Sequence, residues 1–302
     1  MTAGRTKRMH TVPEGYFEAF AVDDPSRERS GIWRFGRNGD KPKLLGLGDV
    51  EVVRDIYTIY REDGTPDIGI EDEVFCGIEG AFCSVRDELL GRTLLSKSHW
   101  TNLARFIAAQ LLRTPRVLRL MRNEFSHEGI QHEEDTPQRV MLILIERWIT
   151  RLVRMRGILA YNDTGLPLLT CDNPAITWKK SGSGFICGVN QFDPDLVVSC
   201  PLAPDLAFVA YQTPDSLRAV HAEQYDIDRA KRPIETFGTN VTIGKLPESE
   251  VKRLNHICIS NAHRYVYAHY SDKPLLNFLR NRFFGLSGPV RQRDLQPIGS
   301  PV

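Results

Sequence analysis

The chain has 302 residues, 41% hydrophobic and 25% charged, with a formal net charge of +1. That composition is globular, and the length suffices to bury a core without metals or disulfide staples. A charge so near zero excludes recognition of nucleic acid, membrane or an acidic partner through a global field, so any such partner must meet a local patch. The six cysteines form no C-x-x-C pair, which argues against a structural zinc site. No apolar leader and no run of about 18 apolar residues occurs, so a cytoplasmic protein without a membrane segment is expected.

In chain order, Gly31–Gly36 alternates as a strand does, and Asn38-Gly39 supplies hairpin-turn residues. Further strands are expected near Lys43–Leu47 and Asp55–Tyr60. Ile70–Leu90 reads as a helix with Val74, Phe75, Ile78, Phe82, Val85 and Leu89 on one side. Ser98 has the character of an N-cap for a long helix from Trp100 to Arg122, which Pro115 should kink or break. Thr136-Pro137 opens a third helix that runs to about Arg156 and stops at Gly157. The pattern then changes to short apolar runs, Leu166–Thr170, Ala175–Trp178, Leu196–Cys200 and Leu206–Tyr211, which read as antiparallel strands. Gly182-Ser-Gly184 has the look of a hairpin turn. A charged helical stretch around Ser216–Arg232, a helix at Ser249–Ala262 and a strand at Arg264–Ala268 follow. The expected fold is α+β, with central helices packed on a mostly antiparallel sheet built from N-terminal and C-terminal strands. Residues 1–9 and 285–302 are expected to be flexible ends of a single domain spanning 10–284.

Several residues stand out chemically. Gln110 falls within the apolar stripe of the central helix, and Arg113 lies at its edge. A buried guanidinium must meet a carboxylate, carbonyls or a ligand anion, so Arg113 is either a structural ion pair or part of a polar pocket. In Thr170-Cys-Asp172-Asn173-Pro174 an apolar strand ends in an Asp-Asn pair, a place for a catalytic or metal-binding carboxylate and equally for an Asx-turn. His10 precedes an aromatic segment and reads as a hydrogen-bonded structural residue or an acid–base group. Glu79 lies between Cys76 and Cys83, but sulfurs two helical turns apart, about 10 Å, cannot share one ion. His127 and His132 sit among carboxylates in a solvated loop. His256 and His263 lack zincin spacing, and no G-x-S-x-G, P-loop or G-x-G-x-x-G is present. Arg147, Arg151 and Arg154 share a helical face, which is either a solvated surface or a stripe that tracks nucleic-acid phosphates.

The ordered motifs resemble the bacterial domain-of-unknown-function family 4238. They are His10-x-x-Pro13 with Tyr16 and Phe20, Tyr57, Ile78-Glu79, Gln110-x-x-Arg113-Thr114-Pro115, Thr170-x-Asp172-Asn173-Pro174, Pro201-Leu202-x-Pro204, and Asn255 through Asn261-Ala262 to Arg264. The resemblance implies a fold and a set of positions, not a reaction. Its polar members, His10, Glu79, Gln110, Arg113, Asp172, Asn173, Asn261 and Arg264, come from distant segments and point to one buried network. One reading is a hydrolase, metal-dependent and nuclease-like, with a divalent cation on Asp172, His10 as acid or base, and Arg113 and Arg264 stabilising an anion. Glu79, Gln110, Asn173 and Asn261 would then bind. A restriction-type Glu-x-Lys is missing, since only Lys179 and Lys180 follow Asp172 closely. The other reading is a non-catalytic binding or regulatory protein in which the polar cluster fixes the fold.

Overall fold

The computed structural model describes residues 8–23, 30–93, 96–129, 133–182, 184–218, 241–271 and 273–282. His132, most of the stretch at 216–232 and the tail after Gly285 lie outside these residues. Strands in chain order are β1 (Arg8–His10), β2 (Val22–Asp23), β3 (Ser30–Gly36), β4 (Lys43–Gly46), β5 (Val52–Arg54), β6 (Ile59–Tyr60), β7 (Pro66–Asp67) and β8 (Arg156–Tyr161). They continue as β9 (Thr170–Cys171), β10 (Ile176–Ser181), β11 (Gly184–Cys187), β12 (Val197–Ala203), β13 (Leu206–Tyr211), β14 (Val241–Lys245) and β15 (Tyr265–Ala268). The helices used below are α1 (Glu14–Phe17), α2 (Cys76–Leu90), α3 (Lys97–Leu112), α4 (Pro115–His127), α5 (Thr136–Leu152), α6 (Glu248–Asn261) and α7 (Lys273–Arg282).

The fold is α+β, and its strands make two principal sheets. One runs β11-β10-β12-β13-β8-β14, antiparallel except where β14 lies parallel to β8. The other runs β2-β3-β15-β9, with β4 on the far side of β3. It joins N-terminal and C-terminal strands as expected, whereas the six-stranded sheet takes none from the N-terminal chain, so two principal sheets stand where one was expected. Alternation explains how both sheets are buried on two faces. Val198, Cys200, Leu202, Leu206, Phe208 and Leu159 join Ile32 and Tyr267 in the main core beneath α2, α3 and α5. Their alternate neighbours Val197, Val209, Phe35, Val266 and Ala268 meet Ile257, Ile259, Leu275 and Leu279 of α6 and α7 in a second core.

Local signals account for most boundaries. Ser96, rather than Ser98, caps α3 in a reciprocal capping box with His99. The long central helix breaks: α3 ends at Leu112, and Pro115 occupies the first turn of α4, where its missing N–H costs nothing. A π-helical turn at Ile70–Phe75 precedes α2, and this offset in phase leaves Val74 37% exposed, off the stripe to which its spacing assigned it. α5 stops at Leu152 rather than Arg156, because Arg156 already begins β8. Of the run Leu166–Thr170, only Thr170 is strand. Gly182 adopts φ 57° in the β10–β11 turn, as the Gly-Ser-Gly reading requires.

Candidate functional site

Arg113 is fully buried at the C-cap of α3. Its guanidinium donates to Glu79 Oε1 at 2.5 Å and to the His10 carbonyl, and Glu71 Oε2 lies 3.8 Å away. Phe75 covers its flat face at 4.1 Å. The Tyr57 hydroxyl donates to the Arg113 carbonyl at 2.6 Å. Burial opposes the guanidinium charge, but Tyr57 and Glu79 outweigh that cost and raise its pKa. Tyr57 itself is pushed up to about 12 by burial. One helical turn earlier, Gln110 is fully buried and, among the described residues, neither its amide atoms nor Thr114 Oγ1 find a hydrogen-bond partner.

Asp172 follows β9 and is 7% exposed. Its carboxylate accepts three backbone N–H bonds, from His263 at 2.8 Å, Arg264 at 2.5 Å and Tyr265 at 3.2 Å. The Asp-Asn pair thus holds the turn between α6 and β15, the side chain accepting from three consecutive amides just past the helix end. Asn261 adds an Nδ2 bond to the Asn173 carbonyl at 3.0 Å. Burial raises the Asp172 pKa against the pull of these amides.

Beside Asp172 lies a group that sequence reasoning missed. Glu51 sits between β1 and β5 with φ 52°, a left-handed conformation that costs a non-glycine residue about 1 kcal/mol or more. Its Oε1 accepts from the buried Tyr267 hydroxyl at 2.5 Å and its Oε2 from Thr11 at 3.3 Å. Burial first and the Asp172 charge second push its pKa to about 7; Tyr267, Thr11 and Arg264 act in the opposite direction. Glu51 nevertheless keeps part of its surface in solvent, and Arg264, whose charge acts on it, is exposed. Arg34, opposite Tyr267 in register, stacks over Tyr265 at 4.4 Å. The result is a part-buried carboxyl poised near neutrality, with the Arg264 charge acting on it. The sequence carried one usable signal: Tyr265 and Tyr267 alternate on one face of β15. Glu51, in an ordinary Asp-Val-Glu-Val run, carried none.

The structure links the expected residues through short paths. Arg113 holds the His10 carbonyl, the next residue Thr11 bonds Glu51, and Asp172 acts on Glu51 and binds the Arg264 amide. The His10 ring bonds the Val50 carbonyl through Nδ1 at 3.1 Å, so that nitrogen carries the proton. Arg113 and Gln110 are sealed beneath the surface rather than lining it. The arginine stripe is corrected: Arg151 is 1% exposed, bonds Gln212 at 3.0 Å and lies over Trp148, so Arg147 and Arg154 do not continue through it. Among the described residues, no three His, Cys, Asp or Glu side chains group to hold a metal ion. Asp172 is already filled by amides, so its donor set does not fit a divalent cation. No helix among the described residues is long and apolar enough to cross a membrane. A family profile described as "Protein of unknown function (DUF4238)" matches residues 8–272. No curated protein and no solved structure matches the chain significantly.

Proposed function

The chain belongs to the DUF4238 family, and on that premise we propose that it is a hydrolase in which Glu51 is the general acid–base group. The observation that carries this reading is a part-buried carboxyl held by the Tyr267 and Thr11 hydroxyls near the buried Asp172. Surroundings of that kind push its pKa up to about 7, and a carboxyl half ionised at neutral pH both accepts and returns a proton efficiently. In this role Glu51 takes a proton from attacking water and returns it to the leaving group. Tyr267 and Thr11 fix its orientation, and burial, with the Asp172 charge second, keeps its affinity for the proton high. Arg264 and Arg34 stand where they offset negative charge on a substrate. His10 and Arg113 are positioning residues, acting through the backbone at the end of β1 that leads into Thr11. No step is assigned to a metal, since the donors present do not fit one.

A second reading rests on a different observation. Arg113 and Asp172 spend their polar atoms on partners inside the protein, which suits a non-catalytic binding or regulatory protein whose cluster fixes the fold. Hydrolysis assays on a panel of aryl esters and phosphate esters separate the two. The hydrolase reading expects Glu51→Gln to fold normally and lose about 100-fold or more in rate, together with a pH–rate inflection near 7. A folded variant with every measured activity intact would leave the structural reading.

A further inference from the structure

A cavity of about 610 Å³ opens between the β10–β11 hairpin, α6 and the start of α7, sharing no lining residue with the Glu51 centre. Its volume is that of a small-ligand site. Four rings meet there, Trp178, Phe185, His256 and Tyr270, alongside three cations, Lys180, Lys252 and Arg253, and among the described residues no carboxylate lines it. The walls are fixed before any ligand arrives. Trp178 is 5% exposed and donates from Nε1 to Ser199 Oγ at 3.0 Å. Asn255 accepts from the Leu169 amide at 2.8 Å and donates to the Pro167 carbonyl at 2.9 Å. The Phe185 and His256 rings meet edge to face at 5.1 Å and 87°.

The cations remain available to an anion. Lys252 and Arg253 pair with Glu248 at 2.5 Å and Glu250 at 3.1 Å, but these are exposed surface pairs, which hold weakly in water. Lys180 makes no ion pair among the described residues. A purely apolar ligand would not require the basic rim, and inorganic phosphate alone would not require the rings. We propose that this cavity binds a free nucleoside monophosphate, its base against the aromatic wall and its phosphate at Lys180, Lys252 and Arg253. Planar bases stack on aromatic side chains with little dependence on identity, and ammonium groups hold phosphate as point charges.

The test is calorimetric titration of the full chain with AMP and UMP, with adenosine, inorganic phosphate and a single-stranded hexanucleotide run in parallel. AMP or UMP is expected to bind in the micromolar range and to quench tryptophan emission, and Trp178→Phe removes that quench. Adenosine and phosphate alone bind at least about tenfold more weakly, since each lacks one half of the recognition. Lys180→Glu weakens AMP at least about tenfold without changing the melting temperature, because Lys180 is exposed. Glu51→Gln leaves AMP binding unchanged, which separates this site from the proposed catalytic one. Absence of binding at 1 mM AMP and UMP (about the weakest affinity of interest) would overturn the proposal. So would equal affinity in Lys180→Glu, or tighter binding of the hexanucleotide than of either mononucleotide.

Discussion

Glu51 loses its proton near 4.5 in the unfolded chain but only near 7 in the folded protein, so its titration is also a statement about stability. Between those values the unfolded chain is ionised while the folded chain still holds the proton. The contribution of Glu51 is therefore fully present below about 4.5 and is lost as pH rises through about 7, a change of up to roughly 3 kcal/mol. Denaturation of the protein and of Glu51→Gln across pH 4.5–8 is expected to show wild-type stability falling relative to the variant by about that amount; a flat difference would mean that Glu51 titrates as an ordinary glutamate. Arg113 is the opposite case, a charge retained by partners. Arg113→Ala leaves the part-buried Glu79 facing the site of a lost cation and a void where the buried guanidinium packed, and should cost about 3–5 kcal/mol in chemical denaturation, part of which Glu79→Gln restores in the double variant. Arg113 and Asp172 were legible in the sequence because a charge beside an apolar stripe, and an Asp-Asn pair after an apolar run, each demand a partner. Glu51 was not, because its partners come from residues 11 and 267, far from it in the chain.

At the scale of elements, local chemistry marked the breaks and tertiary packing decided the rest. Pro115 and the glycines of the β10–β11 turn announced themselves because each removes or requires a backbone conformation. The strand β8 did not, since the sequence reading carried α5 through to Gly157. Its identity comes from pairing with β13 and β14. Gly157 shows what that junction needs: a Cβ there would sit 2.4 Å from the Trp100 ring. That ring is itself wedged against Phe208 with centroids 5.2 Å apart, so it cannot give way cheaply. Gly157→Ala is expected to lower stability by about 1–3 kcal/mol through overpacking, read as a drop in denaturation midpoint. A variant as stable as wild type would mean that Trp100 moves freely. The Asp172 turn is a second element-scale lock. Asp172→Asn turns an amide NH₂ toward a backbone N–H that the carboxylate now accepts, with an expected loss of about 1–3 kcal/mol.

For the whole molecule, the decisive connection is β15. It lies between β3 from the N-terminal chain and β9 from the middle, so three distant segments complete one sheet only when the C-terminal strand is in place. The same strand is shared between both cores: Tyr267 contributes to the main one, Val266 and Ala268 to the second. α6, which leads into it, covers the face of the larger sheet that carries Val197 and Val209. We propose on this basis that residues 10–284 unfold as one unit, with coincident loss of near-ultraviolet and far-ultraviolet circular dichroism in a single transition. The strict form of the prediction is a truncation after Lys245, which deletes α6, β15 and α7. If the cores were separable, the remaining helices α2, α3 and α5 with the larger sheet would stay folded and melt cooperatively. Shared burial on both faces of the sheets predicts the contrary. The truncated chain leaves Val197, Val209, Ile176 and Trp178 uncovered and strips β15 from between β3 and β9, and it should lose its cooperative transition and its near-ultraviolet signal. A sharp melt in the truncated chain would show that the N-terminal and central segments form an independent body, with the Glu51 centre assembled only when the C-terminal strand docks.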